Sequence, residues 1–121
     1  MPRFAVLRHD SPDGLHFDLL IETGLEADSA LKTWALPGPP GSEAMTCEVL
    51  PDHRLVYLDY EGPISGDRGS VKRWDGGTCE ILSQTDRKLV VRLEGKKLIG
   101  RLTLETTGDE PGRWRVGFTA E

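Results

Sequence analysis

Histidine is scarce in this chain, with three in 121 residues, and cysteine is scarcer, with two. The cysteines form neither a CxxC pair nor a dense framework. A disulfide scaffold is therefore not expected, and Cys47 and Cys79 are expected as buried, reduced thiols of a cytoplasmic protein. No run of about 18 apolar residues is present, so no membrane span is expected. The N-terminus carries Arg3 and Arg8 but no apolar signal core, so no secretory leader is expected. Helical periodicity is also poor, and 14 glycines and 8 prolines punctuate the chain. The net charge of −5 argues against a nonspecific nucleic-acid coat. Its distribution is uneven, however. Residues 1–50 hold three basic and eight acidic side chains, whereas residues 51–121 hold twelve of each. A local basic face can meet phosphate within an acidic total.

The longer stretches alternate in polarity, as strands do. Residues 87–94 and 95–104 read as a hairpin around a Gly-containing turn. Further strands are expected at 3–8, 16–22, 45–49, 69–74, 78–83 and 113–118, with 55–59 either another strand or an irregular ledge. Eight short strands with frequent turns point to an all-β antiparallel barrel or sandwich with little helix. The proline-rich 37–42 segment cannot enter a central strand, and 61–69 and 106–112 read as further loops. One domain, 1–121, is the natural expectation at this length.

The histidines then stand out. His16 and Asp18 are two apart in an apolar run, so on a strand an imidazole and a carboxylate project together while Phe17 and Leu19 face the other way. A loop returning His9 to the pair completes a set of two histidines and one carboxylate. Such a set suits Mn(II), Zn(II) or a similar divalent ion. Asp10 and Asp52 each adjoin a histidine, in positions to orient a ring as second acceptors or simply to cap turns. Trp34 and Trp74 read as core residues.

In order and spacing, several segments resemble the 3'-phosphoesterase domain of bacterial DNA ligase D. They are Arg3-Phe4-Ala5-Val6-Leu7-Arg8-His9-Asp10, Leu15-His16-Phe17-Asp18, Leu31-Lys32-Thr33-Trp34-Ala35-Leu36-Pro37, Asp52-His53, Tyr57-Leu58-Asp59-Tyr60-Glu61-Gly62 and Val71-Lys72-Arg73-Trp74-Asp75-Gly76-Gly77-Thr78, followed by 93–104 and Trp114. The resemblance implies a β-barrel. It implies His9, His16 and Asp18 as ligands to manganese, and His53 as a group that contacts the scissile phosphate, with Tyr57 near the active site. It implies hydrolysis at nucleic-acid 3' ends, releasing a 3'-phosphate or a terminal ribonucleotide in DNA repair by nonhomologous end joining. A free-standing domain of this type needs a ligase or polymerase supplied separately.

The chain also departs from the family pattern. Leu20 stands where the family has an arginine two residues after the metal aspartate. Gly38 replaces a lysine, Met45 a second arginine and Pro51 an acidic residue. The first loop carries an insertion near Pro12-Asp13-Gly14, and the loop after Gly62 is shorter. The metal half of the motif is kept and much of the phosphate clamp is missing, with Arg8, Arg54 and Arg68 as possible substitutes. Two other readings therefore stand beside catalysis at 3' ends: a noncatalytic metal- or nucleic-acid-binding module on the same barrel, and a phosphoesterase for a different, smaller substrate. On the first reading an arginine at position 20 is expected to raise cleavage.

Overall fold

The computed structural model of the chain describes residues 2–23 and 31–121. Its strands are β1 (Arg3–Ser11), β2 (Gly14–Ile21), β3 (Leu31–Leu36), β4 (Met45–His53), β5 (Gly62–Pro63), β6 (Ser70–Gln84), β7 (Lys88–Glu94), β8 (Ile99–Thr106) and β9 (Arg113–Ala120). Among the described residues there is no α-helix, only a 3-10 turn at Leu55–Leu58. Eight strands run in the order β1-β2-β3-β4-β9-β8-β7-β6, and β6 returns to β1, closing an antiparallel ring. The two-residue β5 adds to the start of β6. The all-β antiparallel barrel expected from the sequence is the fold.

Two differences in strand assignment offset each other. Residues 31–36 form β3, which links β2 to β4. The segments 69–74 and 78–83 are one long strand, β6, with a bulge opposite Val6 and Leu7 and a second irregularity between Ile81 and Ser83. Gly76 and Gly77 do not turn the chain. A Cβ on Gly77 would sit 2.1 Å from the Glu94 carbonyl oxygen, and one on Gly76 would meet the Arg73 guanidinium. These glycines admit close neighbours, which is the other use of glycine inside a strand. Residues 55–58 form the 3-10 turn.

β1 and β2 are buried on both faces, which explains their nearly unbroken apolar runs. Phe4, Val6, Phe17, Leu19 and Ile21 enter the barrel interior, where they meet Trp34, Val91, Leu93 and Leu102. The alternate residues Ala5, Leu7 and Leu20 face outward and pack with Leu31, Leu58 and Val71 in a second, smaller cluster. The barrel therefore carries a buried outer patch beside β1 and β2, and the 55–64 segment packs on it.

Cys47 and Cys79 are buried and unpaired by disulfide, as expected. Burial pushes their thiols up to about 12 and about 11, with Glu22 adding to the effect at Cys79. Neither is a thiolate ligand at neutral pH. Trp34 is buried in the core edge-on to Trp114, and Trp74 is half-buried against Phe17.

Candidate metal centre and its cavity

A two-residue turn, Pro12-Asp13, joins β1 to β2 and pairs Ser11 with Gly14. That register places His9 directly opposite His16 and Leu7 opposite Asp18. Partners across a ladder share a face, as do residues two apart on a strand. His9, His16 and Asp18 consequently project together from the outer face, while Phe17 and Leu19 point inward.

His9 Nδ1 lies 3.1 Å from His16 Nε2, which lies 2.9 Å from Asp18 Oδ1. His9 Nδ1 is also 3.2 Å from Asp18 Oδ2. The three prospective ligand atoms are within 4.8 Å of one another. His9 Nε2 stands 2.8 Å from the Arg68 carbonyl oxygen. A carbonyl only accepts, so Nε2 carries the proton and Nδ1 of neutral His9 presents a lone pair. A proton on His16 Nε2 serves part of this set, but His9 Nδ1 and Asp18 Oδ2 remain two acceptors facing each other. A cation between them, a metal ion or a proton, satisfies both. The donor set, two imidazole nitrogens and a buried carboxylate, fits a divalent metal ion.

The set forms one wall of a cavity of about 400 Å3, whose lining includes Leu7, His9, Asp18, His53, Tyr57 and Arg68. His53 reaches it through an irregularity in β4. Thr33 pairs with Leu50 but Leu31 pairs with His53, so β4 holds one extra residue there. That bulge re-aims the strand end. His53 Nδ1 donates to the Pro51 carbonyl at 3.0 Å, leaving Nε2 to meet a ligand. Tyr57, on the 3-10 turn, stacks edge-on against both His53 and Tyr60 at 5.6 Å. The Arg54 guanidinium lies 5.9 Å from the Tyr57 ring centroid. The ledge carrying Tyr57 is tied to the barrel from below. Arg73 donates to the Leu58 carbonyl, its backbone N–H donates to Glu61 at 2.8 Å, and Arg3 pairs with Asp59 at 2.7 Å.

The residues singled out from the sequence divide as follows. His9, His16 and Asp18 meet one another, and His53 and Tyr57 share the cavity with His9 and Asp18. His16 borders a neighbouring groove with Thr46, Glu48 and Arg113. Asp10 and Asp52 do not orient the rings. Asp10 is exposed, with its carboxylate 3.7 Å from Arg8 Nε, and Asp52 lies 4.0 Å from Lys32 Nζ. The acceptors that fix His9 and His53 are the backbone carbonyls of Arg68 and Pro51. The role of the 66–69 segment was missed, although Gly66-Asp67-Arg68-Gly69 carries a sign of it. Three of its residues have positive φ, and a Cβ on Gly69 would be 1.8 Å from the Asp10 carbonyl oxygen. Glycine lets this loop close on β1 next to His9.

Of the substitute cations, Arg54 and Arg68 line the cavity, whereas Arg8 is not among its lining residues. Leu20 does share the outward face with Asp18, but it is fully buried against Leu7 and Leu58. Met45 packs against the interior core. Counting along an unbroken strand puts Met45 on the same face as His53, and the β4 bulge reverses that.

Residues 7–106 match the family described as the DNA Ligase D 3'-phosphoesterase domain. The chain belongs to that family. It is 36% identical to the multifunctional non-homologous end joining protein LigD of Pseudomonas aeruginosa, over 87% of this chain and 13% of that relative. As a ligase D phosphoesterase domain, the chain places its His-His-Asp set outside the barrel, not in its interior. Among the described residues no helix is long and apolar enough to cross a membrane.

Proposed function

We propose that this chain is a divalent-metal-dependent phosphoesterase of nucleic-acid 3' ends, removing a 3'-phosphate or a terminal 3'-ribonucleotide in end joining. One observation carries this reading: His9 and Asp18 line the same cavity as His53, Tyr57, Arg54 and Arg68. Ligands for a metal and groups suited to a phosphate thus share one space. His9 Nδ1, His16 Nε2 and Asp18 would hold the ion. Manganese is the working ion of this proposal, with zinc the nearest alternative. When bound, the ion supplies Lewis-acid polarisation of a phosphoryl oxygen and a more acidic water. His53, with Nδ1–H committed to Pro51, presents Nε2 to protonate the leaving oxygen or to clamp the phosphate as a cation. Arg54 and Arg68 offer charge to the phosphate in place of the family arginines, and Tyr57 offers a hydroxyl. A separate ligase or polymerase in the cytoplasm would take over the healed end.

The test is phosphate release from an oligonucleotide ending in a 3'-phosphate, beside one ending in a 3'-ribonucleotide, with manganese and with chelator. Turnover that needs the metal and disappears in Asp18→Asn is the expected result. The rival is a noncatalytic binding module, which the burial of Leu20 at an arginine position favours. Metal bound at the His-His-Asp set with neither substrate consumed would establish the rival.

The 66–69 loop provides a separate expectation. Gly69→Ala should push the Arg68 carbonyl away from His9 Nε2, and loss of such an outer partner typically costs about 10–100-fold in metal affinity. Gly38→Ala, where an added Cβ has nothing within 4 Å, should leave affinity unchanged. Titration calorimetry with manganese compares the two. Equal affinities would mean that the loop does not orient His9.

A further inference from the structure

Beyond the cavity, a cationic and aromatic rim lies on the other face of β1. Arg8 is the Cα partner of Lys72 on β6 and of Phe17 on β2. Cross-strand partners share a face, so Arg8 and Lys72 stand side by side at the end of the barrel where Phe17 begins the interior. Like charges directly opposed on a sheet are destabilising on their own. Trp74 meets Phe17 edge-on at 6.3 Å, and Lys97 Nζ lies 4.4 Å from the Trp74 ring centroid. Lys97 is held there by a built turn. The Asp75 carboxylate, only 4% exposed, accepts the backbone N–H groups of Lys96, Lys97 and Leu98 at 2.9, 3.2 and 2.8 Å. A buried acceptor used this way fixes the backbone of the loop that carries the lysines. Among the described residues, none of Lys72, Lys96 and Lys97 pairs with a carboxylate, whereas Arg73, Arg92 and Arg113 all do.

We propose that this rim, formed by Arg8, Lys72, Trp74, Lys96 and Lys97, is a second nucleic-acid contact that holds the sugar–phosphate backbone leading to the 3' end. The inference rests on the 3'-end reading above and adds the surface that receives the rest of the strand. Charge complementarity selects the occupant. Three lysines without a carboxylate partner among the described residues, one of them against an indole, stand with Arg8, whose Nε is 3.7 Å from Asp10, in a chain whose net charge is −5. Backbone phosphates satisfy the cations, and a base or sugar packs on the aromatic face, as in other single-strand binders. The position is suitable, because His9 follows Arg8 directly and faces the cavity. The rim and the metal set thus meet at β1, on its two faces.

The experiment is fluorescence anisotropy of a labelled single-stranded DNA of about 12 nucleotides, 3'-phosphorylated, in EDTA and over a range of salt. Binding measured this way needs neither metal nor turnover, so it is independent of whether the chain is an esterase. The variant is Lys72→Glu with Lys97→Glu. The comparison is Arg87→Glu with Lys88→Glu, which changes net charge equally at the other end of β7. The rim variant is expected to bind at least about tenfold more weakly at low salt. Its log–log salt slope should fall by roughly 1.4, the value for two lost single-strand phosphate contacts. The comparison variant is expected to lose less than about threefold. Equal losses for the two variants, or no loss in the rim variant, would overturn the proposal. If the rim variant binds weakly while the parent chain cleaves no 3' end, the rim stands and the esterase reading fails.

Discussion

His53→Ala is expected to lower turnover of a 3'-phosphate end by about a hundredfold or more, the usual scale for losing an acid–base group. Metal affinity should stay close to that of the parent chain. The separation follows from geometry. His53 is outside the His-His-Asp set and reaches the cavity from the end of β4, across from His9 and Asp18. Its Nδ1 is committed to the Pro51 carbonyl, so the alanine variant removes Nε2 and leaves the metal ligands in place. Calorimetry with manganese and a phosphate-release assay on the same protein measure the two effects. A large fall in metal affinity would assign His53 to the metal and undo the division of roles.

Leu20→Arg is expected to damage the fold and to gain no activity. Relatives that carry arginine two residues after the metal aspartate suggest the opposite, a restored phosphate clamp. The surroundings decide the matter. Leu20 has no exposed surface and packs with Ala5, Leu7, Leu31, Leu58 and Val71. The buried members of that cluster are all apolar. An uncompensated buried charge costs at least about 3 kcal/mol, which for a domain of this size lowers the melting temperature by roughly 10 °C. Leu20→Met, which nearly conserves volume, should cost under about 1.5 kcal/mol. Thermal melts of both variants beside 3'-end cleavage give the answer. A stable arginine variant with faster cleavage would show that this cluster opens to admit the clamp.

The way these residues sit explains how much was legible in the sequence. The His-x-Asp pair was readable because strand alternation needs no tertiary information, and the Pro12-Asp13 turn fixes the partner of His16 by register alone. Buried thiols and the scarcity of helix among the described residues followed from composition and spacing. β3 escaped because Leu31-Lys32-Thr33-Trp34-Ala35-Leu36 does not alternate cleanly and runs straight into Pro37. β6 was split because Gly76-Gly77 looks like a turn, yet each glycine is there to accept a neighbour, the Glu94 backbone or the Arg73 side chain. Met45 and His53 fall on different faces although they are eight apart, because a bulge between Leu50 and His53 reverses the alternation, and bulges have no residue signature here. The groups that orient His9 and His53 were out of reach for a simpler reason. They are backbone carbonyls, which every residue has, so Asp10 and Asp52 drew attention that belongs to Arg68 and Pro51.

A crystal structure of the chain grown with manganese and sulfate, with anomalous data collected at the manganese edge, tests the central claim most directly. One manganese peak is expected, roughly 2.0–2.3 Å from His9 Nδ1, His16 Nε2 and an Asp18 oxygen. A sulfate is expected beside it in the cavity, within reach of His53. A manganese ion held elsewhere, or none at the three side chains in saturating metal, would contradict it.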